Sequence, residues 1–404
     1  MASARALLHL GLVAAAAAHG SLVRPPSRNA LLDRALPAFA GGKAPLTSCN
    51  CGDAKAGCSE GTRAPSGGQP CFWFSQGCFI GCRLCTGTDR QGDGMPLNVS
   101  SGGGDCSGAR GGLSTQPAGF SAQPTLPRRL WTMNRNAGED TPHDVYRFHP
   151  FRAPGSAPVS DPCGTAGGTG PAHSGPGEAI FSPVRTLNGT TIAQGALGSK
   201  VLPRGPPTAT WKVNSVNATA VEVSWALRFN HGGGYQYRLC SASETLTEDC
   251  FQRTPLDFVR TAVALELKNG TRIPIANTSA VQYIDEGVIP VGATWARNPI
   301  PFISGHAGCE SSSSGNGTDT AGRPCRQFDP PCKGAESGWG RTPGSDDPTD
   351  TMGECSGNWV DGMIVDQILI PPGLPLGPYV LGLRWDGEQT SQVWGSCADV
   401  ELAR

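Results

Sequence analysis

Cleavage of the chain after Ala18 leaves His19 at the head of the mature protein, where one residue offers two nitrogen donors, its free α-amine and its ring Nδ1. The two close a six-membered chelate around a single metal, which no internal histidine can do. The α-amine has a reference pKa of about 7.7 to 8.0, so giving up its proton to a metal costs little near neutral pH. A second histidine bound through Nε2 completes a T-shaped set of three nitrogens. That geometry suits copper, which also stands highest in the divalent affinity series, whereas zinc prefers a tetrahedron. His231, beside Gly232-Gly233-Gly234, is the candidate for the third nitrogen. Taken singly, each histidine has a plainer explanation: the residue after a cleavage site is arbitrary, and a histidine at a strand end is commonly an ordinary surface or hydrogen-bonding group.

The elements that must position them are strands. Residues 221–229 alternate Val221, Val223, Trp225, Leu227 and Phe229 with Glu222, Ser224, Ala226 and Arg228, the period-2 pattern of a half-buried strand. The pattern stops at Asn230-His231-Gly232-Gly233-Gly234, and a second strand is expected from Tyr235-Gln236-Tyr237-Arg238-Leu239-Cys240. Further strands are expected over 263–267 and 272–275, around Asn269-Gly270, and over 363–370, 379–385 and 397–402. Gly 56 and Pro 35 exceed a fifth of the 404 residues, which disfavours long helices. The expected fold is all-β: one elaborated domain over residues 19–404, although the length alone would suggest two or three. Residues 305–355, rich in Gly, Ser and Pro with four cysteines, read as long surface loops.

Residues 1–18 read as a signal peptide: Arg5, an apolar stretch over 7–13, then alanines ending Ala16-Ala17-Ala18. That stretch is too short for a typical membrane span, and no later one reaches the roughly 20 apolar residues needed. Sixteen cysteines and six glycosylation sequons, at Asn98, Asn188, Asn217, Asn269, Asn277 and Asn316, fit oxidising secretion. Eight cysteines crowd into 49–106. Cys82 and Cys85 have zinc-ligand spacing, but the secretory context favours a disulfide-stapled insertion of unknown connectivity. Lys+Arg 32 against Asp+Glu 33 provides no field that would draw the chain to nucleic acid or an anionic membrane.

His19-Gly20, followed by Arg24-Pro25-Pro26-Ser27-Arg28-Asn29, resembles the mature start of lytic polysaccharide monooxygenases, particularly auxiliary activity family fifteen, the chitin-binding type-4 domain. Asn230-His231-Gly232-Gly233-Gly234-Tyr235-Gln236-Tyr237-Arg238-Leu239-Cys240 resembles that family's second-histidine motif. Val393-Trp394-Gly395-Ser396-Cys397-Ala398-Asp399-Val400 resembles its last strand. The resemblance implies an immunoglobulin/fibronectin III-like β-sandwich and one copper held by His19 and His231 in a histidine brace. It also implies oxidative cleavage of a β-1,4-linked glycan such as chitin or cellulose at C1 or C4, using an external electron donor and O2 or H2O2. Trp394 falls at the axial aromatic position, where tyrosine or phenylalanine is usual. An indole cannot ligate copper, so it would shield that face or conduct an oxidising hole, unless it is merely core. Gln236 matches a position near the copper that could hydrogen-bond an oxygen species, or it is a surface residue. Gly387 stands where related sequences often carry cysteine.

The implied protein is secreted and monomeric, binds an insoluble polysaccharide, and has no nucleic-acid or membrane partner and no appended carbohydrate-binding domain after Arg404. The alternatives are a non-catalytic glycan- or copper-binding module and a structural cysteine-rich wall protein. His143, His149, His173 and His306 are expected in loops away from copper. Substrate choice would depend on which of Tyr235, Tyr237, Trp73 or Trp339 faces outwards.

Overall fold

Alternation of aromatic or branched residues with polar ones sorts the long strands into two antiparallel sheets, each with one face turned to the other. The computed structural model describes residues 19–28, 74–77, 149–166, 184–185, 191–192, 196–202, 204–230, 232–266, 270–301, 318, 326, 328–332, 363–388 and 392–404. The leader and, apart from 74–77, the cysteine-rich insertion lie outside them.

The strands run β1 (His19–Arg24), β2 (Phe74–Gly77), β3 (Thr165–Ala166), β4 (Val184–Arg185), β5 (Thr191–Ile192), β6 (Ala209–Lys212), β7 (Thr219–Phe229) and β8 (Gly234–Ser241). They continue with β9 (Asp257–Phe258), β10 (Ala264–Glu266), β11 (Arg272–Pro274), β12 (Tyr283–Ile284), β13 (Trp295–Arg297), β14 (Met363–Ile370), β15 (Gly377–Asp386) and β16 (Gln392–Ala403). The first sheet has the order β1-β7-β14-β10-β11, with β9 also on β14. The second has the order β12-β13-β8-β15-β16-β2-β3, with β6 also on β16. Two short helices, α1 (Gly198–Val201) and α2 (Glu248–Gln252), are set between strands. No described helix is long and apolar enough to cross a membrane.

The expected all-β sandwich is thus the fold, immunoglobulin-like in that two largely antiparallel sheets face each other, with β6 parallel to β16. Leu22, Val223, Trp225, Leu265, Ile364 and Ile368 of the first sheet meet Tyr235, Tyr237, Leu381, Leu383, Trp385, Trp394 and Val400 of the second, all buried. Each such aliphatic or phenyl side chain contributes about 1.5–3 kcal/mol on burial. Two disulfides fasten the outer face of the second sheet: Cys163 to Cys397 on β16, and Cys240 on β8 to Cys250 on α2. The Thr247 hydroxyl caps α2 by accepting from the Cys250 N–H, which satisfies a donor the first turn leaves open.

The expected strands over 221–229 and 235–240 are β7 and β8, but these neighbours in sequence do not pair with each other. They lie in different sheets, so the chain crosses the sandwich between the end of β7 and the start of β8. Within the cysteine-rich insertion, β2 is a strand and extends the second sheet, with Ser75 opposite Trp394.

Candidate metal centre

Strand β1 puts the first motif against the second. It pairs antiparallel with β7, and His19 lies opposite Phe229, two residues before His231 in the chain. The His19 side chain and the whole of His231 lie outside the described residues. Among the described residues, no three His, Cys, Asp or Glu side chains gather into a metal-binding group.

Strand β1 is held on both flanks. On the outer side, Arg24 reaches Glu222 at 2.5 Å and Glu266 at 2.7 Å. Towards the third motif, the Ser21 hydroxyl contacts those of Ser27 (3.2 Å) and Ser396 (3.1 Å), and the Leu22 N–H donates to Ser396 Oγ. The buried Arg28 guanidinium forks onto Asp399, with Nε to Oδ2 at 2.9 Å and Nη2 to Oδ1 at 2.5 Å. A two-pronged, charge-assisted pair fixes orientation as well as distance. The three motifs, far apart in sequence, are therefore neighbours in the fold.

The chain is held just as closely on both sides of position 231. Asn230 Oδ1 accepts from the Gly232 N–H (2.8 Å) and from Asn298 Nδ2 (2.9 Å), and Asn230 Nδ2 donates to the Ile300 carbonyl (2.8 Å). The Gly233 carbonyl accepts from the Asn298 N–H, and the Gly232 carbonyl from Trp385 Nε1 at 2.8 Å. Gly232 and Gly233 have φ of 62° and 79°, where only glycine is unstrained. Nothing in the sequence pattern marked Asn298 or Trp385 for these roles.

A charged frame underlies the start of β8. Asp386, opposite Gly234 on β8, accepts from Arg384 Nε (2.7 Å) and Nη2 (3.1 Å) and from the Gly155 N–H (2.7 Å). Arg384 also donates to Glu248 at 2.9 Å, and Arg238 to the same oxygen. Burial raises the Glu248 carboxyl, but the two guanidiniums more than offset this and hold it at about 2. In the inward row of β14, between Ile364 and Ile368, Asp366 accepts from the Tyr237 hydroxyl (3.0 Å) and the Tyr235 hydroxyl (3.3 Å). Burial pushes its carboxyl up to about 7, against the lowering effect of those hydrogen bonds. Tyr235 and Tyr237 are thus core residues, while Trp73 and Trp339 lie outside the described residues.

Trp394 is 2% exposed, opposite Trp385 in the β15–β16 ladder, with ring centroids 6.3 Å apart. It lies on the core face of the second sheet. Gln236, fully buried between Tyr235 and Tyr237 in sequence, takes the other face, where its Nε2 donates to the Thr294 carbonyl at 3.1 Å and its Oε1 has no partner among the described residues. It is therefore not a surface residue, and the sheet separates it from Trp394. His149 is a loop residue but buried, its Nδ1 2.6 Å from the Glu388 carbonyl. His143, His173 and His306 lie outside the described residues.

With His19 as the first residue, the donor set would be one primary amine and two imidazoles, which suits copper, and the β1–β7 register brings Gly20 and Phe229 onto neighbouring strands. A Cβ on Gly20 would stand 2.8 Å from Trp385 Cε3 and force β1 away, so β1 packs this closely only with glycine there.

Fold and site together define a disulfide-stapled β-sandwich in which the strand beginning at His19 runs beside the strand that leads into Asn230-His231-Gly232. No family model and no curated protein matches the chain. Among solved structures it is similar to a cellulose-active lytic polysaccharide monooxygenase, CelS2, in complex with copper, at 11% identity and a TM-score of 0.20. That alignment covers 51% of this chain and 57% of that one, so the chain spans little over half of the neighbour's length. It is also similar to a structure of the manganese lipoxygenase of Gaeumannomyces graminis with part of the zonadhesin of Komagataella pastoris. There the identity is 9% and the TM-score 0.18, over 48% of each chain. Likeness this loose carries no weight for the site.

Proposed function

We propose that this chain is a secreted, copper-dependent lytic polysaccharide monooxygenase that cleaves chitin or cellulose by hydroxylation at C1 or C4. The observation that carries the reading is the β1–β7 register, in which His19 pairs with the residue two before His231. In this reading the His19 α-amine and Nδ1, with His231 Nε2, hold one copper. The bound metal supplies one-electron chemistry towards O2 or H2O2, drawing on an external reductant. The protein keeps the three nitrogens in place through the serine cluster, the Arg28–Asp399 pair and the Asn230–Asn298 clamp. Trp394, with no group that ligates copper, keeps the ground beneath the brace apolar. Gln236, bonded to Thr294 on the far face of its sheet, steadies β8. The oxidised cysteines of the described residues support an extracellular setting.

The test is to incubate copper-loaded mature protein with chitin and with cellulose in the presence of ascorbate. Aldonic acids or C4 gem-diols, seen by mass spectrometry, are expected from at least one polymer. Tight copper binding without oxidised product on any glycan would replace this reading with that of a binding module.

A further inference from the structure

Trp385 is fully buried on β15 and touches the neighbours of both histidine positions. On one edge its benzo carbons Cε3 and Cζ3 lie 2.8 and 2.9 Å from where a Cβ on Gly20 would stand, so the ring rests on the backbone next to His19. On the other edge its Nε1 donates to the carbonyl of Gly232, next to His231, at 2.8 Å. The ring is held between Trp225 at 5.3 Å and Trp394 at 6.3 Å, and it lies opposite Tyr235 in the β8–β15 ladder. A rigid indole, packed on both flanks and engaged at both edges, fixes the separation of the two segments it touches. Positions 19 and 231 are each one peptide unit, about 3.8 Å between Cα atoms, from those contacts.

We infer that Trp385 is a positioning residue that sets the spacing between the two histidine-bearing segments. The inference rests on the copper reading for its consequence, though not for its geometry. The indole touches no substrate and donates nothing to the metal. Its ring width holds the start of β1 away from the Gly232 segment, and its N–H prevents the latter from drifting. Outer contacts of this kind typically change metal affinity by about 10–100-fold when lost.

The test compares Trp385→Phe with Trp295→Phe. Trp295 is likewise fully buried and donates to a backbone carbonyl, but to that of Ile289 at 3.2 Å rather than that of Gly232. Both variants are expected to unfold at lower temperature. Only Trp385→Phe is expected to weaken Cu(II) binding, by about 10–100-fold, and to alter the Cu(II) EPR spectrum. In metal-free protein, only Trp385→Phe is expected to shift the His19 and His231 imidazole NMR signals together. Gly20→Ala, pressing on the same ring from β1, is expected to move the His231 signal as well as that of His19, which keeps the test open if Trp385→Phe fails to fold. Equal effects of the two tryptophan variants on affinity and spectra, or a Gly20→Ala effect confined to His19, would overturn the inference. A wild-type protein that binds no Cu(II) would sink the functional proposal, and the metal-free NMR comparison would still decide the role of Trp385.

Discussion

The carbonyl oxygen of Asp386 stands 1.9 Å from where a Cβ on Gly233 would lie, so β15 occupies the space any other residue would need there. The Asp386 carboxylate is clamped at the same time by Arg384 and the Gly155 N–H. Gly233, at the entry to β8, is therefore seated on a charged frame on β15, and its place is set by steric contact as much as by hydrogen bonds.

Gly233→Ala must both relieve that overlap and hold a positive φ. It is expected to destabilise the protein by about 2–4 kcal/mol. Gly270→Ala, at φ 84° with nothing within 4 Å, carries the backbone strain alone and should cost about 1–2 kcal/mol. Urea unfolding of the two variants checks this, and equal losses would remove the steric role given to Asp386.

Asp366 makes the core sensitive to pH. Its carboxyl is raised from 3.8 to about 7, so between those values the folded state binds more protons than the unfolded chain. Its contribution is then complete below about 3.8 and is lost as pH rises towards 7, by up to about 4 kcal/mol. Asp366→Asn should flatten stability against pH across that window. Unfolding midpoints from pH 4.5 to 8 measure it, and an unchanged slope would contradict the assignment.

Glu248 acts in the opposite sense. Its carboxyl is held at about 2, below its ordinary 4.5, so its contribution is present above 4.5 and is lost as pH falls towards 2. Glu248→Gln leaves Arg238 without its carboxylate and Arg384 with Asp386 alone. A loss of about 3–5 kcal/mol at neutral pH is expected, with a shallower acid limb, both read from thermal unfolding.

The long strands were legible because their faces differ in polarity. The expected 363–370 coincides with β14, and 221–229 lies within β7. Asp366 lies in the row Ile364, Ile368, Ile370, and the sequence offered no sign of the two tyrosines that satisfy it. Tyr235 and Tyr237 were open as surface aromatics, and only cross-sheet pairing makes them core. Alternation could not reveal that β7 and β8 belong to different sheets, because that depends on their pairing with β14 and β15, far along the chain. Strand β2 was hidden because Phe74-Ser75-Gln76-Gly77 is short and has no periodic pattern, and its pairing comes from β16 and β3, both distant in sequence. The histidine candidates were legible by chemistry alone, and Trp385 was not, since its importance lies in touching two residues that have no side chain.

The most direct test of the brace is a Cu(II) titration of protein beginning at His19 against the same protein carrying one extra N-terminal residue, with His231→Ala alongside. Adding a residue removes the α-amine from the chelate, and His231→Ala removes the third nitrogen. Each is expected to weaken binding at least about tenfold, or 1.4 kcal/mol, and to change the EPR spectrum. Equal affinity and identical spectra in all three proteins would contradict the account.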